Sequence, residues 1–151
     1  MRIILDTNVL YSALRSGGKP AALLQKLVAH ENGMMGCVST ALLYEYEEIL
    51  KNKLQDINKE RIRRGVPQMT YIHIDKIIDT YNACSLQCAI HLLTRPVLHD
   101  ADDEFIVDLA AMSGATICTG NPKDFWMAIE PYQVKVMTPS AILEMIKNEK
   151  N

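Results

Sequence analysis

Acidic side chains set against apolar runs are the residues of this 151-residue chain most suited to chemistry. In "RIILDTNVLY", residues 2 to 11, Asp6 interrupts a run that reads as a buried strand. A carboxylate directly after a strand has two readings. It is the N-cap of a helix starting at Thr7 or Asn8, or a ligand projecting from the strand's carboxyl edge. In "STALLYEYEEIL", residues 39 to 50, Leu42, Leu43, Tyr46, Ile49 and Leu50 form an apolar stripe. Glu45 and Glu47 border that stripe equally well, so periodicity leaves both open.

The segment "HDADDEFIVDLA", residues 99 to 110, crowds Asp100, Asp102, Asp103 and Glu104 at the start of a helix, where the macrodipole favours negative charge. Asp103 differs by lying over Ile106, Val107 and Ala110, on the side facing a sheet. An ionised carboxylate there needs a partner or a metal. In "ATICTGNPKDF", residues 115 to 125, a strand ends at Thr119 and is followed by a turn with Gly120, Asn121 and Pro122, then by Asp124. Such a polar turn is ordinary in an α/β protein, but it adds oxygen ligands at a strand's carboxyl end. Asp6, one of Glu45 and Glu47, Asp103 and Asp124 would repel one another unless shielded. With a divalent cation between them they are hard oxygen ligands, suited to Mg²⁺ or Mn²⁺.

The elements that would position these acids follow from pattern. Strands are expected at Arg2 to Leu5, Met34 to Val38, Ala115 to Thr119 and Val134 to Met137. Helices are expected from Thr7 to Leu14, from near Pro20 to before Gly33, and from a Ser39 or Thr40 cap to about Leu54. Further helices are expected at Thr70 to Leu93, at Asp102 to Ser113 with Gly114 as the C-terminal cap, and at Pro139 to Lys147. Strands separated by helices imply a three-layer α/β/α domain with a central, mainly parallel sheet, whose strand ends gather ligands. The stretch from about 51 to 94 carries no strand signal and reads as a helical insertion or arm within one domain, 1–151.

Composition sets limits on this reading. Hydrophobic residues make up 48% and charged residues 23%, with a formal net charge of −2. These are values of a soluble globular chain, and bulk charge does not mark a nucleic-acid coating protein. Cys37, Cys84, Cys88 and Cys118 lie in apolar segments with no secretory signal ahead of them, which favours reduced thiols in a cytoplasm. No apolar run approaches the roughly 18 residues of a membrane span.

The blocks "ILDTNVL", "STALLYEYEEIL", "DADDEFIVDLAA" and "ATICTGNPKDF" occur in the order of the PIN-domain family. The chain resembles the branch of toxins in type II toxin-antitoxin pairs. That resemblance implies a PIN-like fold and a metal-dependent endoribonuclease that binds Mg²⁺ or Mn²⁺ through Asp6, Glu45, Asp103 and Asp124 and leaves 5′-phosphate products. It selects Glu45 over Glu47. It also assigns Asn8, Thr119 and Asn121 to polar positions that orient carboxylates, water or substrate. Asn121 stands where many members carry an acid, leaving Asp124 as the fourth carboxylate. The implied partners are RNA, an antitoxin protein and a second copy in a homodimer. Two other readings stay open: a PIN-fold binding or scaffold protein without nuclease activity, and a nuclease of RNA maturation with no antitoxin.

Three further features have plainer readings. Cys84, Cys88 and His91 have the i, i+4, i+7 spacing of one helical face, yet lack the paired spacing of a zinc site, so buried thiols are expected. "RSGGKP", residues 15 to 20, lacks the spacing of a phosphate loop and reads as a turn between helices, with Arg15 and Lys19 near the substrate groove. "KNKLQDINKERIRRG", residues 51 to 65, concentrates six basic residues, read as a solvated face or as a contact for RNA or an acidic partner.

Overall fold

The computed structural model describes residues 1–88 and 104–149. Its first strand, β1 (Arg2–Leu5), has Ile3, Ile4 and Leu5 fully buried. Successive strand side chains face opposite ways, so burial of all three requires cover on both faces of the sheet. Alternating strands and helices supply that cover as a three-layer α/β/α domain. The other strands are β2 (Met35–Val38), β3 (Leu86–Gln87), β4 (Thr116–Cys118) and β5 (Val136–Met137). Every pairing is parallel, and the spatial order is β3-β2-β1-β4-β5.

β1 is central. Arg2 stands opposite Met35 on one edge, while Ile3 and Leu5 stand opposite Thr116 and Cys118 on the other. The chain moves outward from β1 through β2 to β3, then returns to build β4 and β5 on the far side. The reversal lies between β1 and β4, so the crevice at their carboxyl ends is the expected ligand position of such a sheet.

The described residues form eight α-helices: α1 (Thr7–Arg15), α2 (Gly18–Val28), α3 (Thr40–Asn52), α4 (Leu54–Arg63), α5 (Tyr71–Ala83), α6 (Glu104–Ser113), α7 (Trp126–Tyr132) and α8 (Pro139–Glu149). The turn expected in "RSGGKP" divides α1 from α2, with Gly17 and Gly18 at φ of 72° and 61°. Ser39 caps α3 by accepting the Leu42 N–H at 3.2 Å, and Gly114, at φ 70°, follows α6 with its N–H on the Ala110 carbonyl. Among the described residues no helix is long and apolar enough to cross a membrane.

The stretch from 51 to 94 departs from its expected pattern. The helix expected to run from Thr70 to Leu93 ends at Ala83, and Leu86–Gln87 then joins the sheet, with Leu86 opposite Cys37. A two-residue edge strand is too short to show alternation, which is why sequence periodicity passes over it. Cys84 therefore follows α5 and Cys88 follows β3, so the two do not share a helical face. His91 lies outside the described residues. Helix α7 was also not expected; it is short, and Pro122 and Pro131 punctuate its region.

The basic segment has an internal use. Arg61 donates from Nη1 to the Leu14 carbonyl at 2.8 Å and from Nε to the Pro67 carbonyl at 2.6 Å. Arg64 donates to the Arg15 carbonyl at 2.6 Å, and Arg15 pairs with Asp56 at 3.2 Å. These contacts satisfy carbonyls that the end of α1 leaves unbonded and tie α4 to it. Lys51 bonds Glu47 and Asp75, and Arg63 bonds Glu60. Arg61, Arg64 and Lys51 thus brace the fold, with Arg15 in the same brace, while Lys53, Lys59 and Arg63 stay on the exposed face that the sequence suggests.

Two substitutions test this packing. Arg61→Ala lowers unfolding free energy by about 1 kcal/mol in urea titrations, whereas Arg63→Ala, which removes only a surface pair, leaves the midpoint in place. A Cβ at Gly36 would fall 2.5 Å from the Tyr81 hydroxyl and 2.7 Å from Ser85 Oγ. Gly36→Ala therefore costs about 1–3 kcal/mol, part of which returns when Tyr81→Phe removes the hydroxyl.

Candidate active site

Asp6 occupies the N-cap position of α1 in extended backbone geometry, with φ −62° and ψ 146°, yet its side chain makes no capping hydrogen bond. Its N–H donates to the Cys118 carbonyl at 2.8 Å and extends the β1–β4 ladder past the strand end. The residue is 6% exposed. Oδ2 accepts the Thr119 hydroxyl at 2.8 Å and the Asn8 side-chain amide at 3.1 Å. The side chain therefore does not cap α1 but is held by Thr119 and Asn8 at the end of β1.

Thr119, the first residue after β4, is fully buried, and its N–H donates to the Met137 carbonyl at 3.0 Å. Its hydroxyl oxygen also accepts the Asn121 N–H at 3.1 Å. Asn8 Oδ1 accepts the Gly120 N–H at 3.2 Å. The ends of β1 and β4 are thus stitched together at the reversal of the sheet, Asp6 and Asn8 from one side, Thr119, Gly120 and Asn121 from the other.

Glu45 reaches this edge from α3, its carboxylate accepting the Thr7 hydroxyl. Glu47 lies elsewhere, with Lys51. Next to Glu45 in the helix is the fully buried Tyr46, whose hydroxyl donates to the Leu5 carbonyl at 2.5 Å. Burial raises its pKa most, followed by the nearby Tyr81, Asp6 and Glu45. The phenol therefore stays protonated and keeps donating to the strand end. Thr7 and Tyr46 were missed in the sequence because Thr7 reads as a helix start and Tyr46 as one more member of the apolar stripe.

Asp124 occupies a 3-10 turn, Pro122–Phe125, where its Oδ1 accepts the Asn121 side-chain amide at 3.0 Å. It is exposed, and Asn121 links it through Thr119 to Asp6. Asp103 lies outside the described residues. Among those described, no group of three or more His, Cys, Asp or Glu side chains is gathered closely enough to hold a metal. Asp6 and Glu45 both lie near Tyr46, and Asp124 is linked to Thr119 through Asn121. The donors at this edge are oxygens of carboxylates, hydroxyls and an amide, a set matched to a hard cation that takes one or two carboxylates and completes its shell with water and phosphate.

Burial raises the Cys118 thiol to about 12, with Asp6 adding to the shift, and burial raises Cys37 to about 11, both from an ordinary 9.0. An acid held protonated in the fold loses its proton first in the unfolded chain, so stability falls as pH rises above 9. Urea midpoints measured at pH 8 and pH 10 should show that fall, and Cys118→Ala should lessen it.

The PIN domain sequence profile matches residues 2–123. No curated protein sequence matches the chain. Among solved structures, the chain is similar to VapBC2 from Rickettsia felis, crystallised bound to a DNA fragment from their promoter. The TM-score is 0.60 over 91% of this chain and 98% of that one, at 14% identity, a likeness of fold. With the profile spanning β1, Asp6, Glu45, Thr119 and Asn121, this chain belongs to the PIN domain family.

Proposed function

We propose that the chain is a metal-dependent endoribonuclease that hydrolyses RNA phosphodiester bonds in the cytoplasm as the toxin of a toxin-antitoxin pair. The observation that carries this reading is the Asp6 carboxylate, held by Thr119 and Asn8 at the reversal of the sheet and not used to cap α1. Asp6 and Glu45 would hold Mg²⁺ or Mn²⁺, with Asp103 and Asp124 as the further acids. The ion, when bound, supplies Lewis acidity to the phosphodiester and lowers the pKa of water. The chain's own residues do the positioning. Thr119 and Asn8 orient the Asp6 carboxylate, Thr7 orients that of Glu45, and Asn121 connects Asp124 to the same network. Membership of the PIN family supports the nuclease, and the fold shared with VapBC2 supports a protein antitoxin as partner.

Cleavage of a mixed RNA pool by the purified chain is expected with Mn²⁺ or Mg²⁺ and lost with EDTA. Asp6→Asn and Glu45→Gln abolish it, and Thr119→Val, which removes an orienting hydroxyl, reduces it about 10- to 100-fold. Either ion raises the thermal midpoint of the wild type and not of Asp6→Asn. Full cleavage by Asp6→Asn would overturn the reading, and a chain that binds RNA without cleaving it would be the scaffold protein instead.

A further inference from the structure

The turn that carries Asn121 and Asp124 continues into α7, and the side chains there divide sharply. Phe125 and Ala128 are fully buried and fix the backbone, while Trp126 is left 59% exposed and Met127 56% exposed. Trp126 is the one tryptophan of the chain. Lys123 places its ammonium 6.0 Å from the centre of the Trp126 ring. An indole face and a cation thus share one patch, two residues from Asp124 and one from the turn's proline, on a backbone anchored through Thr119 to Asp6.

The geometry points to Trp126 as a stacking platform for one base of a single-stranded RNA, with Lys123 contacting an adjacent phosphate. This rests on the RNA-cleaving reading above and adds to it how the strand is held. A chain with net charge −2 does not gather a polyanion by bulk attraction, so its grip on RNA needs local contacts. Of the six cations of residues 51 to 65, Arg61, Arg64 and Lys51 bond groups of other elements of the fold. Lys123 is exposed, beside a π-face, and next to the candidate site. Stacking on an aromatic ring accepts any base, and an unpaired base alone offers its face, so the platform selects single strands over duplex without reading sequence. A purely apolar protein partner would use Trp126, Met127 and Ile129 alike and would gain nothing from the lysine over the ring.

The test uses the full chain in EDTA, so that binding is read without cleavage. The probe is an end-labelled oligoadenylate of about eight nucleotides, beside a duplex of the same length. Emission from the lone tryptophan is quenched by the single strand and not by the duplex. In anisotropy titrations Trp126→Ala weakens binding about tenfold and Trp126→Phe restores most of it. Lys123→Ala reduces the slope of log affinity against log salt by about 0.7. Unchanged affinity in Trp126→Ala, with wild-type cleavage of RNA intact, overturns the platform and leaves the nuclease standing. Wild type that neither binds nor cleaves RNA overturns both. Trp126→Ala and Met127→Ala variants that change oligomeric state while RNA affinity holds would make the patch a protein contact, and the platform would fall.

Discussion

Everything at the candidate site depends on a strand that has no free side. β1 is paired along both edges, by β2 and β4, and Ile3, Ile4 and Leu5 are buried on both faces. A polar group can be placed on such a strand only where it ends. Asp6 is at that point, and the ladder bond from its N–H to Cys118 holds its backbone as firmly as the strand itself. The surrounding residues then have one task, which is to hold a nearly buried carboxylate at a chosen angle. They do so with a hydroxyl and an amide, which orient the oxygen without adding opposite charge.

Position has a cost in helix stability. An aspartate at an N-cap ordinarily accepts one of the first free N–H groups of its helix, a bond worth about 1 kcal/mol. At α1 that bond is absent. The braces at the other end of the helix, from Arg61 and Arg64, compensate by closing the carbonyls of Leu14 and Arg15. α1 is therefore fixed from its far end, which leaves its near end available to the site.

How much of this was legible in the sequence follows from whether each residue's partners are local. β1 and Asp6 were readable because an unbroken apolar run and the acid that ends it lie side by side. The sheet class was readable from the alternation of strands and helices. Glu45 and Glu47 border one stripe, and what separates them is contact with other elements, Thr7 for one and Lys51 with Asp75 for the other. Periodicity within α3 contains nothing of that. β3 was missed because two residues cannot establish a period, and its existence depends on the edge of β2 rather than on its own composition. The same limit explains the cysteines, whose helical spacing assumed that α5 continued. The basic segment is largely exposed as its pattern suggests, but sequence does not reveal that the carbonyls at the end of α1 lie within reach of Arg61 and Arg64.

The bond between Thr119 and Asp6 joins residues 113 apart in sequence. β4, the neighbour that completes β1, likewise belongs to the last part of the chain. During synthesis Asp6 emerges 113 residues before the hydroxyl that orients it. Pairing across so long a loop is a late event in folding, since the closure entropy must be met before the contact gives any return. A truncated or unfinished chain therefore carries the acid without the site. Pairing of β4 with β1 and assembly of the carboxylate edge are therefore one event, and a chain in which that pairing has not formed lacks the bonds that orient Asp6.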